Sequence, residues 1–462
     1  MNRHCKVLSL AVASAAASGC APALELAEPA RVTSNAWSED IATGIRGEAR
    51  SDLASLLASE ELASLAARAE RHNSNLAIAD AQVAQARALL RGARLAVLPE
   101  ISLSAGATRT RQAENFNFGF DDVFASTDLT WDMDLFGRLR ASRQAALART
   151  QASALSRQAL GIEVEAAVAR AYVQAIALQR RIVLADQNIE RAVALERIIR
   201  IRYREGAASR VDLGLQSVSR LNFETDRSRL LEARDNTRTA LAILVGEEAP
   251  RFTVPSGELE ALAVSPMVPA PPAELLAARP DIRAAEALIA AAEGDVREAR
   301  ASFFPQIDVS LSGILSGSAG GPLDQIVTLG SSLLAPIFAR GRLRSEFDFA
   351  SAVQVETVER YRLAILNALS EVEDANSAIR FSAERAVLFE QIAEEAKETA
   401  RLANLRYLEG EEDLQSLLDA QEFLADAEEA QVIARQAEVF ARIALYRAMG
   451  GYRQHVLAYE LD

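Results

Sequence analysis

Two stretches of this chain run without a helix breaker for longer than a small globular core can accommodate. From Arg138 to Glu205 there are 68 residues with one glycine and no proline, and Arg342 to Glu409 contains neither. At a rise of 1.5 Å per residue the first run alone is about 100 Å of helix. The punctuation is duplicated as well. Gly137-Arg-Leu-Arg140 recurs as Gly341-Arg-Leu-Arg344, Arg202-Tyr203 as Arg406-Tyr407, Gly206 as Gly410 and Gly246 as Gly450, all 204 residues apart. A spacing held over more than 100 residues with matching turn chemistry marks an internal repeat. Each half ends its long helix at a glycine suited to the left-handed residue after a helix. Each then starts a returning helix, with Ser209 and Asp212 forming a capping box in the first half.

The period changes at the other end of each repeat. Asp281 to Ser302 returns apolar residues every three or four positions and reads as an Ala-rich helix. Phe303-Phe304-Pro305 breaks it, and Ile307, Val309 and Leu311 then alternate with Asp308, Ser310 and Ser312, as a half-wet strand does. The same switch occurs at Leu98-Pro99, 206 residues earlier. Ala125, Thr127, Leu129, Trp131, Met133 and Leu135 alternate with Ser126, Asp128, Thr130, Asp132 and Asp134, so one face is apolar and the other acidic. Four strands are expected, at about 100–111, 123–135, 306–316 and 325–338, in two widely separated hairpins.

These strands fit a tilted bilayer span better than a sandwich, for which no second sheet exists. Beyond the first residues no apolar run approaches the roughly 18 residues of a spanning helix, so strands would have to cross. Four strands cannot close a barrel. An open edge in hydrocarbon leaves backbone groups unpaired at several kcal/mol each, and the smallest bacterial barrels have about eight strands. The chain is therefore expected to work as an oligomer, each copy contributing an apolar-out, polar-in pair of hairpins. Asp128, Asp132, Asp134 and Asp308 would line the watery lumen. The charge of −14, with no basic stripe, excludes a nucleic-acid partner.

Arg3 and Lys6 precede an apolar run from Val7 to Ala17, the layout of a signal peptide over residues 1–19. Ala17-Ser18-Gly19-Cys20 resembles a bacterial lipoprotein cleavage box, which makes Cys20 the expected lipid anchor; plain secretion with an incidental cysteine is the alternative. Residues 20–61 read as a lead-in, 62–246 as the first repeat, 247–280 as a connector holding 7 of the 13 prolines, 281–450 as the second repeat and 451–462 as a tail.

Arg279-Pro-Asp-Ile-Arg-Ala-Ala-Glu286, Phe303-Phe304-Pro305, Glu371-Val-Glu-Asp-Ala375, Arg406-Tyr407-x-x-Gly410 and Leu417-Leu-Asp-Ala-Gln421, in this order and on this duplicated layout, resemble the TolC-like outer-membrane efflux proteins. The likeness covers nearly the whole chain and is greatest to the NodT-type lipoproteins of resistance-nodulation-division (RND) efflux systems. It implies a mainly α fold with a small membrane β-barrel, formed by a homotrimer as a 12-stranded barrel continuing into an α-helical barrel. It further implies a passive exit duct in the outer membrane lipid for drugs, metal ions or other small compounds. Its implied partners are a periplasmic adaptor and an inner-membrane RND pump, with no cofactor and no catalysis. The three histidines, His4, His72 and His455, offer no metal-ligand spacing, and there is no phosphate loop or nucleophile elbow.

The resemblance also places a periplasmic aperture at the hairpin tips: Tyr203, Gly206, Arg210 and Asp212 in the first repeat, and Tyr407, Gly410, Glu412, Asp413 and Asp419 in the second. Plain helix chemistry offers another reading of several of these. Glu411, Glu412 and Asp413 sit in a first turn, where carboxylates offset the macrodipole by about 0.3–1 kcal/mol each, and Ser209 and Asp413 are placed as N-caps. Tyr203 and Tyr407 are equally placed to pack a helix end. Glu412 stands where the family archetype carries a basic closing residue, which leaves Arg210 of the other hairpin as the substitute cation. Trp131 and Phe136 suit an interfacial girdle, and Phe303 and Phe304 suit a wedge at the helix-to-strand junction. A periplasmic coiled-coil adaptor or scaffold lipoprotein is the rival reading, since such proteins also carry long helical hairpins.

Overall fold

The computed structural model describes residues 21–28, 37, 53–108, 122–263, 271–317 and 321–451. Its elements, in chain order, are α1 (Leu53–Leu56), α2 (Glu60–His72), α3 (Ser74–Leu95), β1 (Glu100–Thr108), β2 (Asp122–Asp132), α4 (Arg138–Arg204) and α5 (Arg210–Val245). There follow α6 (Pro272–Ala278), α7 (Pro280–Ala301), β3 (Gln306–Gly317), β4 (Asp324–Leu334), α8 (Arg340–Glu409) and α9 (Leu414–Ala448). The fold is mostly helical and built from two repeats, as the duplicated punctuation requires.

The glycines of that punctuation are there for a physical reason. Gly206, Gly246, Gly410 and Gly450 have φ of 78°, 72°, 81° and 74°, a region that a side chain disfavours. At Gly246 a Cβ would also lie 2.1 Å from the carbonyl oxygen of His72, so any other residue would force the chain apart there. Gly341, the counterpart of Gly137, lies inside the first turn of α8 and has no such constraint.

The chain forms two compact units. The first takes in residues up to Arg31, Asp80–Leu155 and Ile282–Ala364, and contains a single antiparallel sheet in the order β1-β2-β3-β4. The hairpins β1-β2 and β3-β4 are sequence neighbours, whereas β2 and β3 come from different repeats and pair over Val123↔Gly317 to Asp132↔Asp308. Strands β1 and β4 are left as the outer edges. Residues 21–28, in neither helix nor strand, are held against the helices of this unit. Arg300 Nε donates to the Pro22 carbonyl at 2.9 Å, and the buried Gln354 makes two hydrogen bonds of 3.0 Å to the Ala27 backbone.

The second unit holds Val32–Ala79, Ser156–Asp281 and residues from Ile365 onward. Its largest core joins Leu53, Leu62, Leu65, Val168, Tyr172, Val173, Leu241, Val439 and Tyr446. The proline-rich stretch is part of that core: Phe252, Leu259 and Leu262 are buried in it. Trp37 packs on a satellite cluster of Leu275, Val372, Ala375 and Leu445. In the same cluster region the buried Arg279 bonds Asp281, Glu371 and the Ala448 carbonyl, which explains why the Arg-Pro-Asp motif opens the second repeat. Burial would lower the Arg279 pKa, but its two carboxylate partners outweigh that and raise it.

Candidate functional site

The sheet register sorts side chains by chemistry. Cross-strand partners share a face, so Ile101, Leu129, Leu311 and Leu329 form one row, and Trp131 and Val309 are partners on the same side. The opposite face carries Ser102, Asp128, Ser312 and Thr328 in one row, and Asp132, Asp308 and Ser332 in another. Many of the apolar side chains are open: Leu103 is 79% exposed and Leu329 76%. Four large apolar residues break the polar face, Phe124, Ile314, Ile326 and Leu334. Phe124 is accommodated because its partner is Gly106, where a Cβ would come within 2.6 Å of the ring.

Three of the four expected lumen acids lie on that polar face, and the fourth does not. Asp128 accepts from Ser126 Oγ at 2.9 Å, and Asp132 is ion-paired with Arg138 at 3.0 Å. Asp134, expected on the strand, lies beyond its end at Asp132 and has φ of 46°. It is buried, and its carboxylate accepts from the Leu139 and Arg140 backbone N–H groups at 2.9 and 3.0 Å and from Arg140 Nε at 3.1 Å. It ties down the start of α4 and does not line water. Alternation alone could not reveal this, because the tight turn keeps the two-residue rhythm while leaving the ladder. Likewise β4 stops at Leu334 rather than 338, ahead of Pro336.

Five aromatic residues make three contacts around the strand-to-helix ends. Phe136 stacks on Phe304 with centroids 4.8 Å apart, Phe303 meets Phe347 edge-on, and Trp131 Nε1 donates to the Val97 carbonyl at 3.0 Å. Thus Phe136 and Phe304, read from the sequence as girdle and wedge, are partners in one contact.

In the second unit the two hairpin turns are built alike but packed differently. In the first, Ala207 N–H donates to the Arg202 carbonyl at 2.7 Å, and Ser209 and Asp212 form the expected reciprocal capping box at 3.0 and 2.7 Å. In the second, Glu411 N–H donates to the Arg406 carbonyl at 2.9 Å and Asp413 caps α9 by accepting from Ser416 N–H at 2.8 Å. That hydrogen bond holds the Asp413 carboxyl below its ordinary value. Tyr407 is buried among Leu195, Ile199, Leu414, Leu417 and Leu418, with the Arg202 guanidinium 4.8 Å over its ring, while its counterpart Tyr203 is 42% exposed. Glu412 pairs with Arg406 at 3.2 Å within its own hairpin. Asp419 is exposed and accepts from Gln415 Nε2 at 2.6 Å. Arg210 is exposed and has no salt bridge among the described residues.

Sequence reading missed the polar lock between α4 and α5. Gln216, fully buried, donates to the Ala192 carbonyl at 2.8 Å, and Glu196 takes hydrogen bonds from Arg200 and Arg220. Burial would raise the Glu196 carboxyl, but those two arginines outweigh it and lower it. The signal available was the i, i+4 spacing of Glu196, Arg200 and of Arg220, Glu224, which is common on any exposed helix. Cys20 lies outside the described residues.

Among the described residues no helix is long and apolar enough to cross a membrane, and no cluster of His, Cys, Asp or Glu is arranged to hold a metal. The chain matches the family model described as outer membrane efflux protein over residues 65–246 and 272–451, one match per repeat. The pyoverdine export outer membrane protein OpmQ of Pseudomonas putida is 32% identical over 418 residues, covering 85% of this chain and 86% of its own. Outer membrane protein OprJ of Pseudomonas aeruginosa is 29% identical over 453 residues, 94% of this chain and 93% of its own. The solved outer-membrane channel OprN superposes with a TM-score of 0.82 at 26% identity, covering 93% of this chain and 98% of that one.

Proposed function

We propose, from the premise that this chain belongs to the outer membrane efflux protein family, that three copies of it close one 12-stranded barrel in the outer membrane. The protein is an outer-membrane efflux channel component, in a family of transport proteins rather than enzymes. The observation that carries the trimer is the four-stranded sheet with one apolar face and two free edges. In hydrocarbon such edges leave backbone groups unsatisfied at several kcal/mol each. Pairing β4 of one copy with β1 of the next removes both edges, and three copies give a ring with the polar face inside.

On this reading the channel conducts small compounds passively and catalyses nothing, while an inner-membrane pump supplies the energy and a periplasmic adaptor links the two. OpmQ is named for pyoverdine export; for this chain the supported cargo class is small compounds. Asp128, Asp132 and Asp308 make the barrel interior acidic. The tip residues Tyr203, Gly206, Arg210, Asp212, Tyr407, Gly410, Glu412, Asp413 and Asp419 form the periplasmic aperture, Tyr407 as the packed base of its tip and Asp419 as the open acid. Cys20 carries the lipid anchor after cleavage of residues 1–19. In support, the Pro22 carbonyl is fixed by Arg300 in the last turn of α7. Cys20 stands two positions before Pro22 in the sequence, so the chain between them can reach at most about 7 Å, and β3 begins at Gln306.

The reading is tested by extracting the full-length protein from outer membranes in mild detergent and measuring its mass and its conductance in planar bilayers. Three chains per particle and a passive conductance are expected. A protein that leaves the cell envelope without detergent as single chains contradicts it.

A further inference from the structure

We propose that Phe338 of one copy packs against Leu98 of its neighbour, making between chains the contact that Phe136 and Phe304 make within one. The inference rests on the oligomeric reading above and adds the side chains that join the copies.

The internal duplication supplies the template. In each repeat a strand is entered through an apolar residue and a proline, Leu98-Pro99 before β1 and Phe304-Pro305 before β3. In each repeat the next strand leaves through a phenylalanine ahead of the long helix, Phe136 between β2 and α4 and Phe338 between β4 and α8. Where an exit strand of one repeat lies beside an entry strand of the other, at β2 and β3, the exit residue stacks on the entry residue. Phe136 and Phe304 are 4.8 Å apart and nearly parallel, with 10° between their planes.

The second exit strand, β4, and the first entry strand, β1, have no such neighbour, because they are the outer edges of the sheet. Their end residues are correspondingly bare. Phe338 is 100% exposed and Ile337 69%, while Leu98 is 58% and Leu95 64%. Antiparallel pairing of β4 with the β1 of another copy brings the exit end of one beside the entry end of the other, as it does for β2 and β3. The occupant that satisfies both the open backbone edge and the bare phenylalanine is therefore a second copy of this chain. Lipid covers the ring but pairs with no strand.

The test places Leu98→Cys in one full-length chain and Phe338→Cys in another, coexpresses them, and oxidises intact outer membranes with copper phenanthroline. Disulfide-linked dimers are expected from the mixture, linked dimers and trimers from the double variant, and only monomer bands on denaturing gels from either single variant. Particles that retain three chains by native mass yet give no linked species overturn this contact and leave the proposed function standing. Single-chain particles of the unmodified protein overturn both. A second measurement guards against cysteines that disturb assembly. In the cycle Leu98→Ala, Phe338→Ala and the pair, the losses in oligomer dissociation temperature are expected to be less than additive, as for residues in contact. Additive losses overturn the contact.

Discussion

Asp132 on β2 and Asp308 on β3 are direct cross-strand partners, and Arg138 claims the first of them at 3.0 Å. No ion pair to Asp308 is present among the described residues. Asp308 and Asp128 therefore carry unbalanced negative charge on the polar face, together with Glu100 and Asp324 of the same face, which likewise have no salt bridge among the described residues. Replacing Asp128 and Asp308 by Asn is expected to move the reversal potential measured in a salt gradient across a planar bilayer from cation preference toward zero. An unchanged potential would remove these two acids from the lumen.

Asp134 predicts a different phenotype from its neighbours on β2. Because its carboxylate takes the Leu139 and Arg140 N–H groups, Asp134→Ala is expected to cost about 0.5–2 kcal/mol, the usual loss of a helix cap. Asp134→Asn, which still accepts from N–H and tolerates a positive φ, is expected to retain most of it. Thermal unfolding followed by circular dichroism separates the two variants. Neither is expected to alter ion preference, in contrast to Asp128 and Asp308.

The two tip tyrosines are equivalent in sequence and unequal in packing, so their variants should diverge. Tyr407→Ala opens a hole in the Leu195, Ile199, Leu417 cluster and leaves Arg202 without its ring. A large aromatic truncated in a core costs about 3–5 kcal/mol, and faster hydrogen exchange across both tips is the expected readout. Tyr203→Ala, at an exposed site, is expected to stay within about 0.5 kcal/mol. Equal effects from the two variants would contradict the asymmetry.

The Asp413 cap gives the second tip a defined pH response. Its hydrogen bond to Ser416 N–H holds its folded-state pKa below the ordinary 3.8. Its contribution is therefore complete above the unfolded value and is lost as pH falls through the lower folded value. Hydrogen exchange at Leu414 to Leu417 should be unaffected at neutral pH and accelerate only on strong acidification. Asp413→Asn, which cannot titrate, should flatten that dependence. Acceleration already near neutral pH would count against the cap.

How much of this was legible beforehand follows from which forces are local. The four glycines at 204-residue spacing announced themselves because a positive φ is a demand on one residue, and the capping box at Ser209 because it closes within three. The apolar and acidic faces of β2 followed from period two. Asp134 was misplaced because the turn that takes it off the sheet depends on the N–H groups of Leu139 and Arg140, which the strand pattern does not encode. The difference between Tyr203 and Tyr407 was invisible for a similar reason, since it comes from Leu195 and Ile199, more than 200 residues before Tyr407. The Gln216 and Glu196 lock joins two helices of one hairpin through residues that look like ordinary surface polarity.

The central claim is that one chain holds too few strands to seal itself and that three share one pore. Native mass measurement of the full-length protein, released from purified outer membranes in mild detergent, tests it most directly. Particles of three chains that need detergent to stay dispersed are the predicted result. Single chains that remain dispersed in plain buffer would contradict the account.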